Sequence, residues 1–296
     1  MSRTNKIAVL SDIHGNYIAL KRCVDYALDK GINIFVFLGD YVGDLAYPQK
    51  TMNMLYDLAG QYECYFIKGN KENYWLHYRK NGEQGWKDMD STTGTLLYTY
   101  RNLTDRDLHC FSTLKHVQAI EFEGLPILTA CHGSPEKVNG TLLPNDARTL
   151  EIIEKDANEY ILCGHTHIQQ KFVHFRNVVL NPGSVGMPLG SDGKAQFMIL
   201  YGENGSWQEQ FVSLEYNVSD VIVDLKETGL GKAASFWYKI TINSLHTGRK
   251  SQSHGSVLGR AMDLCKQKYG LCVWPKIPEE FWEKAYYEII NEDEIL

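Results

Sequence analysis

Short apolar runs alternate with amphipathic segments over the first 70 residues. The apolar runs are predicted to be strands buried on both faces, at residues 7–10, 32–38 and 62–67. The segments between them carry apolar residues at helical spacing and are predicted to be helices, at residues 17–30 and 48–58. This alternation of strand and helix is typical of an α/β domain with a parallel sheet.

The middle of the chain continues with shorter elements of both kinds. Helices are predicted at residues 73–80, 94–100, 104–114 and 146–155. Residues 115–130 are predicted to form two strands around a turn at Glu123-Gly124. Further strands are predicted at residues 160–163, 170–175, 178–180, 196–200 and 207–212.

The pattern changes near Tyr216, after which helical spacing replaces the short apolar runs. Ser219 is predicted to cap the first of four helices, because its hydroxyl can accept a hydrogen bond from the first turn. These helices are predicted at residues 219–228, 232–245, 254–268 and 278–290. The segment is rich in aromatic residues, which favours packing onto the main body over a free tail. We therefore predict an α/β domain at 1–215 and a helical subdomain at 216–296, which either caps a site or contacts a second copy of the chain.

Polar residues of the metal-binding type follow five of the predicted strands. Asp12 and His14 come directly after the first strand, and because they are two residues apart their side chains leave an extended chain on the same side. The others follow four later strands: Asp40, Asn70, His132, and the pair His165 and His167. Sites in open α/β sheets form at the carboxyl ends of strands, so these side chains are expected to converge. Mixed nitrogen and oxygen ligands favour manganese, iron or zinc over magnesium or calcium.

Composition narrows the classes of function. The formal net charge of −6 argues against binding to a nucleic-acid duplex, because no basic surplus is present to neutralise phosphates. The seven cysteines are odd in number and include no C-x-x-C pair, so they are interpreted as reduced thiols of a cytoplasmic protein. We expect neither a signal peptide nor a membrane span.

Five motifs in this order make the sequence similar to the calcineurin-like metallophosphoesterase superfamily: Asp12-x-His14, Gly39-Asp40-x-x-Gly43, Gly69-Asn70, His132-Gly133 and Gly164-His165-x-His167. The resemblance extends from about residue 6 to residue 212. Residues 11–16 and 181–185 resemble the small bacterial phosphodiesterase branch, and the helical segment resembles members related to asymmetric diadenosine tetraphosphate hydrolases. The resemblance implies a four-layer α-β-β-α sandwich with a C-terminal helical extension, in which residues 1–215 form the catalytic domain.

The resemblance also implies a site for two metal ions. Asp12, His14, Asp40 and His167 would hold the first ion, and Asp40, Asn70, His132 and His165 would hold the second. Asp40 would then bridge the two ions, which lie roughly 3.5–4 Å apart in such sites and clamp an in-line displacement at phosphorus. Asp40, Asn70 and His132 are the implied catalytic residues, the last two steadying the charge that develops.

One position departs from the phosphomonoesterases of this superfamily, which often carry His after the Gly-Asn pair. Here the position is Lys71, which could bind a phosphate oxygen of the substrate as a point charge. A leaving group that is itself a nucleotide phosphate needs little protonation. Lys71 therefore favours hydrolysis of a phosphodiester or phosphoanhydride in a nucleotide-like substrate, with diadenosine polyphosphate as one candidate. The alternatives are a phosphomonoesterase or protein phosphatase, and a non-catalytic metal-binding scaffold.

Three further segments flank the predicted site. Asn16 is a candidate substrate contact, although an Asn that opens a helix commonly acts as its cap. Asp44 could orient a metal ligand or simply finish a turn. The basic loop 247–251 could reach a polyphosphate, but its composition is more typical of a solvated loop.

Overall fold

The computed structural model describes residues 5–290, in which ten strands form two sheets of five strands each. The strands are β1 Asn5–Leu10, β2 Ile34–Phe37, β3 Glu63–Phe66, β4 Val117–Ile120, β5 Leu128–Cys131, β6 Tyr160–Leu162, β7 Gln169–His174, β8 Asn177–Pro182, β9 Ala195–Glu203 and β10 Ser206–Leu214. The helices are α1 Tyr17–Asp29, α2 Pro48–Gln61, α3 Asn70–Lys80, α4 Gly94–Arg101, α5 Asp105–Thr113, α6 Ala147–Glu154, α7 Val218–Glu227, α8 Leu230–Ala233, α9 Ser235–Thr247, α10 His254–Tyr269 and α11 Glu279–Ile289. A 3₁₀ turn at Lys250–Gln252 precedes α10.

Both sheets have a parallel centre. The first has the order β10-β9-β1-β2-β3, in which β1, β2 and β3 are parallel and β9 pairs antiparallel with both β1 and β10. The second has the order β4-β5-β6-β8-β7, in which β5, β6 and β8 are parallel and the two edge strands are antiparallel. The parallel pairing predicted for the first three strands is confirmed. It directs the carboxyl ends of these strands to the same edge of their sheet.

Strand β1 shows how the layers are arranged. Ile7 packs with apolar residues of β5 and β6, so this face of β1 lies between the two sheets. Its neighbour Ala8 points to the other face, where it packs with residues of α1. Ile153 of α6 packs with Ile161 of β6 on the outer face of the second sheet. The order helix, sheet, sheet, helix confirms the predicted four-layer α-β-β-α sandwich.

Helices α7–α11 form the helical extension, which packs onto the sandwich. Helices α9, α10 and α11 share an apolar cluster that includes the buried Trp282. A second cluster joins Leu225 and Leu230 of the extension to Leu45 and Met187 of the main body. Among residues 5–290, no helix has both the length and the apolar character that crossing a membrane requires.

The extension differs from the prediction at two points. Asn217, rather than Ser219, caps α7, because the Asn217 side chain accepts the hydrogen bond from the first turn. The second predicted helix of the extension is divided at Ala234 into α8 and α9. The carbonyl of Ala233 accepts a hydrogen bond from the backbone N–H of Asp90 at 3.0 Å, so a contact with the main body interrupts the helix.

Candidate metal centre

The loops after β1, β2, β5 and β6 bring most of the predicted ligands together. Five of these residues have a left-handed backbone, with φ between 52° and 66°: Asp12, His14, Asp40, His165 and His167. Residues other than glycine adopt this conformation rarely, at a cost of about 1 kcal/mol or more each. Their concentration at one place indicates that the fold accepts backbone strain to aim these side chains at a common centre.

Asp12, His14 and His167 form the first group of donor atoms. Asp12 Oδ1 lies 3.7 Å from His14 Nε2 and 3.3 Å from His167 Nε2. The two imidazole nitrogens are 3.1 Å apart. Donor atoms this close are typical of ligands that share one ion at metal–ligand distances of about 2.0–2.2 Å.

Asp40, Asn70 and His132 lie directly beside the first group. His132 Nε2 is 3.5 Å from Asp40 Oδ1 and 3.0 Å from Asn70 Oδ1. The other oxygen of Asp40, Oδ2, is 3.9 Å from His14 Nε2. Asp40 therefore stands between the two groups with one oxygen towards each, which is the arrangement that a bridging carboxylate requires.

The surroundings of Asp12 fit a metal ion. Its Oδ2 accepts hydrogen bonds from Ser11 Oγ at 2.6 Å and from the backbone N–H of His165 at 2.9 Å. Its Oδ1 is buried and has no hydrogen-bond partner among residues 5–290. A buried carboxylate oxygen costs free energy unless it is hydrogen-bonded or binds a cation. Asp12 and the imidazoles around it are therefore suited to a metal cation.

Burial penalises charge throughout this centre, and groups of opposite charge offset the penalty at Asp12 and His14 but not at His165. Burial alone would raise the pKa of Asp12, but the charges of His167 and His132 hold that pKa well below its ordinary value. Burial lowers the pKa of His14, but interactions with the carboxylates of Asp12 and Asp44 outweigh it and raise the pKa to about 10. The pKa of His165, whose ring centroid is 5.1 Å from that of His132, is lowered to about 4, first by burial. His165 is therefore neutral near pH 7 and keeps the lone pair that metal binding uses.

Polar contacts of the remaining ring nitrogens orient three histidines, two through hydrogen bonds and His14 through an ion pair. The Nδ1 atoms of His132 and His167 each donate to a backbone carbonyl, at 2.7 and 2.8 Å. His14 Nδ1 lies 2.8 Å from Asp44 Oδ2. In each case Nε2 is left facing the other donor atoms, as is usual for histidines that bind metals.

Asp44 connects the metal centre to the helical extension. Besides its contact with His14, its Oδ1 accepts hydrogen bonds from Lys71 Nζ and from Trp237 Nε1, both at 2.9 Å. Burial would raise the pKa of Asp44, but the charge of Lys71 and the contact with His14 hold it well below the ordinary value. Asp44 was a candidate from sequence, whereas nothing in the local pattern indicated Trp237.

Replacing Trp237 with Phe is expected to lower the affinity for metal. The substitution keeps an aromatic ring beside Lys71 but removes the N–H that holds Asp44. Substituting residues that orient metal ligands lowers metal affinity about 10–100-fold. Because Trp237 acts on His14 only through Asp44, we expect metal affinity to fall by about 10-fold, at the lower end of that range. Competition with a chelator measures it.

Trp207→Phe is the matched control, because Trp207 Nε1 donates to the carbonyl of Pro126 at 2.8 Å, between β10 and the segment before β5. Equal metal affinities in the two variants would contradict a positioning role for Trp237.

Glu72 joins the loops after β2 and β3. Its carboxylate accepts hydrogen bonds from the backbone N–H groups of Asp40, Tyr41 and Gly69 at 3.0, 3.0 and 2.8 Å. Burial, and then the charge of Asp40, raises the pKa of Glu72 to about 7. Glu72 caps α3, and that helix begins at Asn70 rather than at the predicted residue 73. Asn70 is thus held in the first turn of a helix instead of in a loop.

A cavity of about 490 Å³ opens from the metal centre. The donors His14, Asp40, Asn70, His165 and His167 line one part of it, together with Lys71. Helices α9 and α10 form another wall.

Asn16 is not brought to this cavity. Its Oδ1 caps α1 by accepting the backbone N–H of Ala19 at 3.0 Å. Its Nδ2 donates to the carbonyl of Gly186 and to the hydroxyl of Tyr216, at 3.1 and 3.2 Å. With 1% of its surface exposed, Asn16 ties α1 to two other segments of the main body.

Comparison with known proteins identifies similar chains. The model of the calcineurin-like phosphoesterase superfamily domain matches residues 6–205, a range that ends before α7. An uncharacterized protein of Methanocaldococcus jannaschii is 24% identical over 235 residues, which cover 72% of this chain and 88% of that protein.

Two solved structures are similar in fold. A metallophosphoesterase from Sphaerobacter thermophilus has a TM-score of 0.65 and 20% identity, with 83% of this chain and 100% of that chain covered. A hypothetical protein from Pyrococcus horikoshii OT3 has a TM-score of 0.69 and 22% identity, with 83% and 99% covered.

Proposed function

The chain belongs to the calcineurin-like phosphoesterase superfamily, and from this premise we propose that it hydrolyses phosphodiester or phosphoanhydride bonds in a small nucleotide-like substrate. The family is one of metal-dependent phosphoesterases. The proposal adds the number of ions, the kind of bond and the class of substrate. Diadenosine polyphosphates are one candidate.

The position of Asp40 carries the proposal. Its two oxygens face different groups of donors, at 3.9 Å from His14 Nε2 and 3.5 Å from His132 Nε2. This supports two ions rather than one, with Asp40 shared between them. The nitrogen and oxygen donors suit manganese, iron or zinc.

Two bound ions would supply Lewis acidity towards the phosphoryl group and lower the pKa of an attacking water. The protein residues would then orient and stabilise. His132 has its Nδ1 held by the carbonyl of Leu38, so its Nε2 is fixed beside Asn70. Asn70 offers an amide without a charge, which keeps the centre cationic towards phosphate. We propose that these two side chains, together with the ions that Asp40 would help to hold, steady the charge that develops on the phosphoryl oxygens.

The identity of the residue after Asn70 supports a substrate whose leaving group needs little protonation. Lys71 occupies this position, and its buried ammonium is 2.9 Å from Asp44 Oδ1. Its charge is thereby shared with a carboxylate, while its side chain still lines the cavity. We propose that Lys71 is a fixed positive charge in the cavity wall that attracts a phosphate oxygen of the substrate.

A substrate panel tests this function. The full chain would be stripped of metal, reloaded with Mn²⁺ and assayed with diadenosine tetraphosphate, bis(p-nitrophenyl) phosphate, p-nitrophenyl phosphate and a phosphopeptide. We expect the dinucleotide or the diester to give the highest kcat/KM. Preference for the monoester or the phosphopeptide would contradict the proposal and favour a phosphomonoesterase. Metal binding without turnover of any compound would favour a non-catalytic scaffold.

We further propose a cytoplasmic location. All seven cysteines are free thiols, and four of them are buried. Unpaired cysteines in this number are typical of reducing compartments.

A further inference from the structure

The cavity has a second end that the proposed chemistry leaves unused. The 3₁₀ turn and the first turn of α10 line it through Lys250, Ser253 and Ser256. Asp40 and Asp44 are the carboxylates that line the cavity in the described part of the chain; Asp40 faces the metal donors, and Asp44 lies between His14 and Trp237 of α9. The end formed by the extension therefore carries positive charge and hydroxyl groups; the charge of Asp44 also acts on His254 in the first turn of α10, but it is already shared with Lys71.

A serine hydroxyl holds the backbone carbonyl of Lys250 next to the start of α10. Ser256 Oγ donates a hydrogen bond to the carbonyl of Lys250 at 2.8 Å. Ser253 caps the helix by accepting the backbone N–H of Ser256 at 3.3 Å. The helix is 16 residues long, so its N-terminal N–H groups and its dipole favour an anion at this end. Lys250 adds a full charge beside that helix end.

A buried hydroxyl without a partner lies in the same cavity. Trp237, Thr241 and Ser244 are spaced by four and three residues, so they share one face of α9. Trp237 bonds Asp44, and Thr241 Oγ1 lies 3.0 Å from Nε2 of His254 at the start of α10, so this face is turned to the cavity. Ser244 lines the cavity and is 1% exposed, yet its Oγ has no hydrogen-bond partner among residues 5–290. A buried hydroxyl left unpaired costs free energy that a bound ligand can recover.

We propose that Lys250, Ser244 and the N-terminus of α10 form a second anion subsite, which binds a further phosphoryl group of the substrate while the metal centre holds the one that is cleaved. This inference rests on the proposed function, and it narrows the substrate class to compounds with at least two phosphoryl groups. It also gives the basic loop a binding role that its composition alone did not indicate.

Phosphate binding to the chelator-treated full chain tests the subsite apart from hydrolysis. Titration calorimetry with inorganic phosphate, at about 0.1 M chloride to screen weak surface attraction, should detect binding by wild-type protein. Lys250→Ala should weaken that binding about 10-fold, because it removes a charge-assisted hydrogen bond. Ser244→Ala should weaken it about 3-fold and leave Tm unchanged, since Ser244 Oγ has no partner to lose. No detectable binding by wild-type protein would overturn the subsite.

Lys266→Ala is the matched control, because Lys266 is exposed in the last turn of the same helix. It should bind phosphate as wild type does. Equal weakening by Lys266→Ala and Lys250→Ala would overturn the subsite and assign the effect to net charge.

Kinetics of the Mn²⁺-loaded chain test whether the second phosphoryl group belongs to the substrate. Lys250→Ala should raise KM for diadenosine tetraphosphate about 10-fold and leave KM for bis(p-nitrophenyl) phosphate within about 2-fold. Equal changes for both compounds would overturn the inference. Lys250-dependent binding of free phosphate with unchanged KM would also overturn it, since the ligand would then be free phosphate. If wild type hydrolyses neither compound, the proposed function fails, whereas phosphate binding by the chelator-treated chain still decides whether the subsite exists.

Discussion

The Asp40→Asn variant is expected to bind fewer metal ions than the wild-type chain and to hydrolyse phosphoesters more than about 100-fold more slowly. The amide has almost the same shape as the carboxylate and can still accept the hydrogen bond from the backbone N–H of Lys71, which is 2.9 Å from Asp40 Oδ1. It offers only one oxygen, however, and carries no charge. The variant therefore tests the bridging role without removing the contact that holds the loop after β2.

Metal content by elemental analysis and kcat/KM with the preferred substrate measure the effect. Asp156→Asn is the matched control, because Asp156 Oδ1 accepts hydrogen bonds from Thr129 Oγ1 and the backbone N–H of Asn158, both at 2.9 Å. Its amide can keep both bonds, so metal content and activity should not change. Full metal content and activity in Asp40→Asn would show that Asp40 does not bridge two ions.

The Gly69→Ala variant is expected to lose both stability and metal binding. A Cβ at this position would lie 2.2 Å from Asp40 Oδ1, 2.3 Å from the Asp40 backbone N and 2.7 Å from Glu72 Oε2. The φ of Gly69 is −88°, which any residue adopts, so the effect comes from crowding alone. Relief of the contact must shift Asp40 or its loop. Overpacking of this kind costs about 1–3 kcal/mol of unfolding free energy, and the displaced carboxylate should no longer bind metal as it did.

Urea unfolding and metal content together measure this prediction. Gly60→Ala is the control, because nothing lies within 4 Å of a Cβ at Gly60, which is in the last turn of α2. That substitution should stabilise the chain, by up to about 1 kcal/mol, because alanine favours a helix over glycine. A Gly69→Ala chain with wild-type stability and metal content would show that close contact between the loops after β2 and β3 is not needed for stability or for metal binding.

The candidate ligands could be found from the sequence because each follows a short apolar run. In β1 the apolar residues end at Leu10, and Asp12 and His14 follow at once. The carboxyl ends of parallel strands lie at one edge, so local patterns were enough to predict that such residues meet. The same reasoning made Asn16 a candidate substrate contact. Asn16 follows the same strand, but its side chain is directed to α1, Gly186 and Tyr216. Proximity along the chain does not fix the direction of a side chain.

The sequence by itself determined the α/β class, the ligand types and the helical character of the extension, since all three depend on residues close together in the chain. The four-layer sandwich was implied by the resemblance to a family. Only the tertiary structure decided what lies behind and opposite the ligands. Asp44 and Trp237 are 193 residues apart, and no periodicity connects them. Ser244 and Lys250 become candidate binding residues only because α9 and the start of α10 line the same cavity as Asp40. Such contacts arise from packing between distant segments, and local sequence patterns do not predict that packing.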